Sequence, residues 1–185
     1  MLFQYETERL VLRVCRTDEA KHILDFYLKD KDLFEKYEPE RMPNFYTVNY
    51  QKKVLKWEHS LLLKLEAVRF YVFLKKDPHK IIGTVCYHRI EKSIYQSCEV
   101  GYKFSSEFQH HGYALESLMT LNDIIFNDLH LHRIEAKVMP CNTASINLLE
   151  KLGFYKEGLN RKCIYLHNKW EDHYLYSLIN PLENF

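Results

Sequence analysis

One short segment of the sequence has the residue types of an anion site. It reads Gln109-His110-His111-Gly112-Tyr113-Ala114 and leads into an apolar helical pattern that begins at Leu115. A helix N-terminus presents backbone N–H groups without intrahelical partners, together with the positive end of the helix dipole. Small residues such as Gly112 and Ala114 let those amides approach a pyrophosphate closely. The segment therefore predicts a pyrophosphate site, although a glycine that only permits a turn into the helix gives the same pattern.

Other phosphate-binding and metal-binding patterns are absent from the sequence. The chain contains no G-x-x-x-x-G-K-[S/T] loop and no G-x-G-x-x-G run, which argues against a nucleotide hydrolase or a dinucleotide-dependent enzyme. The side chains of the adjacent His110 and His111 diverge at a loop–helix junction, and no third ligand stands at a suitable spacing. We therefore expect no metal.

A carboxylate in the middle of the chain could move protons. Period-two counting along a predicted strand places Cys98, Val100 and Tyr102 on one face and Glu99 on the other. If the second face lines a cleft, the partly desolvated Glu99 carboxylate could accept or relay the proton of a nucleophile. The alternative is that Glu99 belongs to a structural hydrogen-bond network.

The elements that would position these residues begin with a largely helical N-terminal part. The segment Thr17–Ala20 has the residues of a capped helix start. Further along, Val54, Trp57 and Leu61 stand at helical spacing. The predicted order is a strand, a helix, a loop with short helical pieces and a second helix: Glu8–Val14, 17–29, 29–48 and Asn49–Glu66.

The remainder of the chain alternates strands and helices. Three strand patterns separated by short polar turns indicate an antiparallel meander. A long apolar stripe, interrupted by Asn122, then predicts a helix, and Gly153 suits the left-handed end of a later one. The predicted strands are Val68–Lys75, Lys80–Ile90, Ile94–Ser105, Arg133–Met139, Phe154–Leu159 and Ile164–Ile179. This order indicates a mixed α/β or α+β architecture.

Length and composition bound the class of protein. The 185 residues suit one domain, which we assign to residues 1–185. Lys plus Arg number 26 against 25 Asp plus Glu, so the bulk charge favours neither nucleic acid nor a membrane surface. No apolar run reaches the ~18 residues that cross a bilayer, and the first residues lack a secretory signal. With five cysteines that show no paired spacing and read as reduced thiols, we expect a cytoplasmic protein.

Seven short blocks of the sequence follow one another in a characteristic order. They are Thr7–Arg13, Ile82-Gly83, Cys98–Tyr102, Gln109–Ala114, Asn142–Ser145, Glu150–Phe154 and Glu157-Gly158. In order and spacing they resemble the GNAT superfamily of acetyl-CoA-dependent N-acetyltransferases, and most closely its RimJ/RimL-type branch, which acetylates ribosomal-protein N-termini. The resemblance spans nearly the whole chain. Gln109 stands where that family more commonly has arginine.

The resemblance implies a fold and a co-substrate. The expected fold is a GNAT-like, mostly antiparallel twisted sheet of about seven strands flanked by about four helices. Acetyl-CoA would lie where the fourth and fifth strands splay apart. Gln109 would cap the loop, and main-chain groups of Phe104 would meet the pantetheine arm. The pyrophosphate would be held by the backbone amides of His110, His111, Gly112, Tyr113, Ala114 and Leu115.

Two residues at a predicted helix start have alternative roles. By the resemblance, the side chain of Asn142 would contact the pantetheine, although asparagine also favours the N-cap of its own helix. The resemblance also implies that Ser145 delivers a proton to the departing thiolate. As an alternative, Ser145 is a plain helix residue.

Three positions depart from the pattern of the branch. Lys137 stands where alanine-specific relatives usually carry a glutamate, and Leu149 corresponds to their tyrosine acid. The RimL-type glutamate near the last hairpin falls on Ile164. These departures concern the acceptor and the acid–base groups, and they leave the co-substrate prediction unchanged.

The predicted reaction is acetyl transfer to a primary amine, with a peptide or ribosomal-protein N-terminal α-amine as the leading acceptor. An α-amine has a reference pKa of ~7.8 against ~10.4 for a lysine side chain, so a site with weak bases suits it better. The alternative is a small-molecule acceptor such as an aminoglycoside, a polyamine or an amino acid, which the acidic residues between Asp30 and Glu40 would favour slightly. A third alternative is a catalytically silent acyl-CoA-binding module. We expect a monomer or a homodimer.

Overall fold

Eight strands form one sheet in the computed structural model of the protein, which describes residues 2–181. They are β1 (Gln4–Glu6), β2 (Leu10–Arg13), β3 (Ala67–Leu74), β4 (Asp77–Glu91), β5 (Ser97–Phe104), β6 (Arg133–Val138), β7 (Tyr155–Leu166) and β8 (Lys169–Ile179). Their order across the sheet is β1-β2-β3-β4-β5-β6-β8-β7, and only β5 and β6 are parallel neighbours in this part of the chain. The predicted mixed, mostly antiparallel architecture is confirmed, and β1 is the strand that the sequence pattern missed.

Five α-helices flank this sheet within the described residues. They are α1 (Ala20–Lys29), α2 (Lys31–Glu35), α3 (Val48–Leu63), α4 (Tyr113–Leu129) and α5 (Thr143–Lys151). Short 3₁₀ turns lie at Thr17–Glu19, Pro43–Tyr46 and Ser106–Phe108. No helix between residues 2 and 181 is long and apolar enough to cross a membrane.

Both faces of the sheet are covered, each by its own hydrophobic core. Val72 belongs to the core that α4 and α5 cover, together with Leu118 and Leu149. Its neighbour Tyr71 points the other way, into the core formed with α1 and α3, which includes Leu55. Because both faces are buried, β3 is apolar almost throughout instead of alternating with polar residues.

The parallel pair at the centre of the sheet is short. Only three residue pairs join β5 to β6, from Ser97 with Arg133 to Glu99 with Glu135. Beyond these pairs the two strands diverge, and the residues from Val100 to Phe104 have no partner strand on that side among the described residues. These are the fourth and fifth strands of the sequence-based prediction, so the predicted splay is present.

The first hairpin of the meander turns earlier than predicted. β3 and β4 are joined at Lys75-Lys76, so that Leu74 pairs with Asp77, whereas the sequence pattern placed the turn at 77–80. The ladder resumes at Ile81, and Pro78 lies in the irregular stretch between these pairs. There the missing N–H of proline costs no ladder hydrogen bond. The polar, proline-containing stretch therefore forms a bulge and not the turn.

The last hairpin also differs from the prediction. β7 continues from Tyr155 to Leu166, and a register shift between Asn160 and Ile164 bends it where a break was expected. The turn is at His167-Asn168, whose φ angles of 49° and 63° are those of a tight two-residue hairpin. At this tip His167 Nε2 donates to the carbonyl oxygen of Glu35, 2.7 Å away, and so joins the hairpin to the end of α2.

Two predictions from apolar patterns, the buried face of α3 and the start of β5, were wrong because large apolar side chains are exposed. Trp57 is 62 % exposed, and the buried face of α3 carries Leu55, Leu62 and Gln51 instead. The Gln51 side chain is buried, and its Nε2 donates to the carbonyl of Phe45 at 2.7 Å. Ile94 is 90 % exposed, so β5 begins three residues later than predicted.

Asn122 does not interrupt the apolar face of α4. It is buried in that face, and its Oδ1 accepts a hydrogen bond of 2.6 Å from the fully buried Tyr87 hydroxyl on β4. A buried polar pair that satisfies itself is compatible with a hydrophobic core. The helix therefore packs continuously on the sheet.

Candidate active site

A cleft of about 930 Å³ opens where β5 and β6 diverge. Its size is within the range of roughly 300–1,000 Å³ that ligand clefts have. We call one part the α4 half, lined by Phe104, Gln109, His110, Gly112, Tyr113, Ala114, Leu115, Asn142 and Ser145. We call the other part the α2 half, lined by Leu33, Phe34, Tyr37, Glu38, Arg41, Arg69, Cys86, His88, Lys103 and Lys137.

The start of α4 leaves its first amides to the cleft. Gly112 is the N-cap residue, at φ 79°, and no side chain within the described residues caps the helix. His110 is also left-handed, at φ 62°, so the loop turns sharply twice before the helix begins. Tyr113, Ala114 and Leu115 form the first turn and line the cleft. An anion here would meet unpaired N–H groups and the positive end of the helix dipole.

The Thr7–Arg9 segment fixes this helix start from outside the cleft. Arg9 Nε donates to Glu116 Oε2 at 2.6 Å, and Arg9 Nη1 donates to the carbonyl of His111 at 3.0 Å. The Thr7 hydroxyl donates to Glu116 Oε1, and the Arg9 guanidinium lies 4.6 Å from the centre of the Tyr113 ring. Burial alone would raise the pKa of Glu116, but hydrogen bonds from Thr7 and Arg9 hold it below its usual value. We call these contacts the Arg9 clasp.

Gln109 closes the other side of the loop. Its Nε2 donates to the carbonyl oxygen of Phe104 at 3.2 Å, which ties the loop to the end of β5. The Phe104 ring covers Gly83 on β4, where a Cβ atom would overlap the ring. Gly83 is therefore required for Phe104 to reach its position at the edge of the cleft.

Two hydroxyl groups meet at the start of α5. The Ser145 and Tyr102 oxygens share a hydrogen bond of 2.6 Å. Ser145 N in turn donates to Asn142 Oδ1 at 3.2 Å, so Asn142 is the N-cap of its own helix. Burial raises the pKa of Tyr102 to about 12, which keeps the phenol protonated at neutral pH. This pair can hold a transferable proton at the divergence of β5 and β6.

Glu99 is held by cations on the opposite face of the sheet. Its Oε2 accepts from Lys137 Nζ at 2.8 Å and from Arg89 Nη1 at 3.2 Å. Glu99 itself is not one of the residues that line the cleft, but its cross-strand partner His88 is. Burial lowers the pKa of His88, while the charge of Glu99 acts against that shift. A neutral imidazole with a carboxylate beside it therefore borders the cleft.

The α2 half contains a partly buried charged cluster. Glu38 forms ion pairs with both Lys103 and Arg41. Burial would raise the pKa of Glu38, but these two cations hold it below its usual value. Burial lowers the pKa of Lys103 to about 8, although Glu38 acts in the opposite direction. The Glu38 carboxylate is thus shared between two cations.

The structure brings most of the predicted site residues together. Phe104, Gln109, His110, Gly112 to Leu115, Asn142 and Ser145 line one continuous cleft. His111 and Glu99 are not among the residues that line it, and the His111 ring stacks on Tyr113 with centroids 5.7 Å apart. Leu149, which replaces a tyrosine of the branch, is buried in the core. No group of three His, Cys, Asp or Glu that could hold a metal occurs between residues 2 and 181.

Sequence reasoning missed two polar residues of the cleft. Tyr102 was placed correctly on the face of Val100, but its hydroxyl was not considered as a proton donor. His88 received no role, because a lone histidine in a strand gives no signal until the pairing with Glu99 is known.

The family model of the GNAT acetyltransferase domain matches residues 9–155. The chain belongs to this family. Over 172 residues it is 34 % identical to the probable N-acetyltransferase YjcK of Bacillus subtilis, covering 93 % of this chain and 94 % of that protein. The prediction of a GNAT-type N-acetyltransferase is confirmed.

Solved structures of this family share the whole fold. A ribosomal-protein-S5-alanine acetyltransferase from Vibrio fischeri has a TM-score of 0.91 and 34 % identity, with 97 % of each chain covered. RimJ from Mycobacterium smegmatis, solved in complex with CoA-disulfide, has a TM-score of 0.86 and 25 % identity, covering 92 % of this GNAT chain and 81 % of RimJ. The resemblance to the RimJ/RimL-type branch is thereby confirmed, and the predicted co-substrate agrees with it.

Proposed function

We propose that this GNAT protein transfers the acetyl group of acetyl-CoA to the α-amine of a peptide or protein N-terminus. The observation that carries the proposal is that uncapped amides of α4 and the half-buried imidazole of His88 line one cleft. The similarity to an S5-alanine acetyltransferase along 97 % of the chain supports a ribosomal-protein N-terminus as the leading acceptor.

The α4 half fits the chemistry of acetyl-CoA. Backbone N–H groups between His110 and Leu115 would hold the pyrophosphate, because Gly112 leaves the first turn uncapped. Asn142 uses its Oδ1 as a helix cap, which leaves the amide nitrogen to donate to the pantetheine arm. The carbonyl of Phe104 keeps a second lone pair beside its bond to Gln109 for the same arm. These residues would bind and orient the co-substrate.

His88 is our proposed proton acceptor. Bound acetyl-CoA supplies the thioester whose carbonyl carbon a neutral amine attacks. His88 borders the cleft and its lowered pKa keeps the imidazole neutral at pH 7, so it can accept the proton of the amine nitrogen. Glu99, directly opposite on β5, stabilises the imidazolium that results. In this scheme His88 accepts the proton, and Glu99 acts only through its negative charge on the imidazole.

Tyr102 and Ser145 are our proposed hydrogen-bond donors to the sulfur. The pKa of Tyr102, about 12, lies above the reference value of about 8.5 for a thiol, so Tyr102 keeps its proton and the released thiolate takes one from solvent. As the C–S bond breaks with its electron pair on sulfur, a preorganised hydroxyl pair stabilises the developing thiolate by donating a hydrogen bond to it. The bond of 2.6 Å between Tyr102 and Ser145 provides that arrangement. It also gives Ser145, whose position is fixed by Asn142, a role beyond that of a helix residue.

The weak base favours an α-amine over a lysine side chain. Deprotonating a lysine at neutral pH costs roughly 3.5 kcal/mol more than deprotonating an α-amine, from the difference of their reference pKa values. An imidazole with a lowered pKa is a weak base and supplies little of that difference. The site therefore suits an amine that is already partly neutral.

A polycationic small molecule fits the α2 half less well. The acidic residues that could attract it already have partners: Asp30 accepts from Ser106, Glu35 accepts from Tyr46, and Glu38 pairs with Lys103. Four cations line this half against one carboxylate, Glu38. No contact in the described residues favours an aminoglycoside or a polyamine.

A thiol-release assay with acetyl-CoA tests the proposal. The acceptors are an alanine-initiated peptide, the same peptide with a formylated N-terminus, a formylated peptide that contains lysine, and spermidine. We expect release only with the free N-terminus, and mass spectrometry should place the acetyl group on the first residue. Release with spermidine alone would favour a small-molecule enzyme. No release from any acceptor, with CoA still binding, would favour a silent acyl-CoA-binding module.

A further inference from the structure

The α2 half of the cleft carries more positive than negative charge. Its lining contains Arg41, Arg69, Lys103 and Lys137, against Glu38 as the one lining carboxylate. Arg69 and Lys137 are paired with carboxylates behind the lining. Arg41 and Lys103 have no such separate partners among residues 2–181, because both pair with Glu38. The surplus of one positive charge is therefore located at Arg41 and Lys103.

The surroundings of this surplus charge are largely apolar. The Arg41 guanidinium lies 4.2 Å from the centre of the Phe45 ring and 5.0 Å from that of Tyr27. Lys103 Nζ lies 5.2 Å from the Tyr27 ring, and its side chain is only 12 % exposed. Partly desolvated cations are costly unless an anion or a good acceptor is supplied. A ligand group that supplies one would be bound strongly.

Arg41 has donor capacity that the protein does not use. Its Nη2 pairs with Glu38, but its Nε is buried and lacks a hydrogen-bond partner within the described residues. Buried polar atoms of native proteins are nearly always paired, so this guanidinium retains unused donor capacity. Because Arg41 lines the cleft, an acceptor group of a ligand can approach the guanidinium there. A carboxylate fits best, because guanidinium groups bind it through two parallel hydrogen bonds.

We propose that Arg41 and Lys103 form a carboxylate subsite, so that the preferred acceptor carries an acidic side chain close to its reactive amine. The inference rests on the proposed function, since it takes the α2 half to be the side on which the acceptor binds. It also explains why Glu38 is shared: a second carboxylate from the acceptor completes a cluster of two cations and two anions. Polycationic acceptors are excluded by the same charges.

Matched acceptors and a calorimetric binding probe test the subsite. The acceptors are Ala-Asp-Ala-NH₂ and Ala-Asn-Ala-NH₂, which differ only in carboxylate against carboxamide, and the probe is glutarate added to the CoA-loaded protein. We expect kcat/KM to be about tenfold or more higher for the aspartate peptide, mainly through KM, because charge-assisted hydrogen bonds are the stronger ones. Glutarate should bind to the wild-type protein.

Two variants should move this preference in opposite directions. Arg41→Gln removes a ligand and should reduce the aspartate-to-asparagine ratio towards one and weaken glutarate binding. Glu38→Gln removes the competing carboxylate and should raise both the aspartate-to-asparagine ratio and the affinity for glutarate. Loss of folding would not raise either quantity. Lys21→Gln, which breaks an exposed ion pair with Asp25 on α1, is the control and should leave both unchanged.

The outcomes separate the subsite from the proposed function. If neither peptide is acetylated, the proposed function fails, and the glutarate series alone decides the subsite. If the peptides are acetylated with a ratio near one, or with a ratio that Arg41→Gln and Glu38→Gln leave unchanged, the carboxylate subsite is overturned while the enzyme activity stands.

Discussion

Arg9 and Glu116 form an ion pair of 2.6 Å that fixes the N-terminal end of α4. The two residues are more than one hundred positions apart in the chain. Each side chain also forms a hydrogen bond with a backbone group: Glu116 accepts from Arg9 N, and Arg9 donates to the carbonyl of His111. The Thr7–Arg9 block that carried part of the family resemblance is therefore a support for the loop before α4. It supports the proposed co-substrate site without lining the cleft.

Breaking this clasp should weaken co-substrate binding. Glu116→Gln removes the charge that holds Arg9 and should raise the Kd of CoA about tenfold, as removal of a supporting contact typically does. Glu157→Gln is the matched control, since Glu157 holds Arg133 through two bonds of 2.6 and 2.7 Å away from the cleft. Isothermal titration with CoA measures both. Equal CoA affinities of the two variants would show that the clasp does not support the site.

Gly112 and Gly153 give a second matched pair, because their φ angles are 79° and 82°. Alanine at either position should cost roughly 1–2 kcal/mol through left-handed strain and lower Tm by a few degrees. Only Gly112→Ala should also reduce the rise in Tm that CoA produces. For the wild type, CoA at one hundred times its Kd should stabilise the folded state by about 2.7 kcal/mol. A full CoA shift in Gly112→Ala would mean that Gly112 serves only the turn.

Tyr102→Phe should slow the reaction without preventing folding. It removes the hydroxyl that bonds to Ser145, and we expect kcat to fall by about 10²-fold while the KM for acetyl-CoA changes little. Tyr87→Phe is the control, because its hydroxyl makes an equally short bond of 2.6 Å to Asn122 inside the core. That variant should lose about 1–3 kcal/mol of stability and keep its kcat. Similar kcat values for the two variants would remove Tyr102 from the mechanism.

The pH dependence of kcat/KM for the acceptor should reveal His88. The amine must lose a proton, with a reference pKa of ~7.8, and so must His88, whose pKa lies below 6.5. The logarithmic profile should therefore rise with a slope of one below pH 7.8 and steepen to two below the His88 pKa. His88→Asn should keep a slope of one throughout and lose about 10²-fold in rate.

Glu99→Gln should shift that break in a defined direction. The Glu99 charge raises the pKa of His88, so its removal should move the break to lower pH and reduce turnover at neutral pH. Lys137→Met, which frees Glu99 from a cation, should move it to higher pH. A break that stays in place in both variants would separate Glu99 from the proton transfer.

The sequence predicted the order of elements well, and most of the residues that it singled out line the α4 half of the cleft. The reason is that Gly112, Asn142 and Ser145 act through local backbone geometry, which neighbouring residues determine. It failed at Trp57 and Ile94, since an apolar residue gives the same signal whether it is buried or exposed. The predicted positions of two hairpin turns were also wrong, because polar residues occur at bulges as well as at turns.

Two of the proposed acid–base groups, His88 and Tyr102, could not be predicted from the sequence, for a different reason. The environment of His88 depends on Glu99, across a strand pair, and the hydrogen-bond partner of Tyr102 is Ser145, which lies 43 residues later in the chain. Such pairs depend on register and on the packing of distant elements. The oligomeric state and the cellular location stay predictions.

The last hairpin has a consequence for the order in which the enzyme becomes active during synthesis. β6, one wall of the cleft, has only three residue pairs with β5 and depends on β8 for its other neighbour. The tip of the same hairpin, at His167, holds the end of α2, which was made more than one hundred residues earlier. Contacts this far apart in sequence form late, because a long loop must close first. A nascent chain therefore cannot acetylate its acceptor until β8 has left the ribosome and paired with β6.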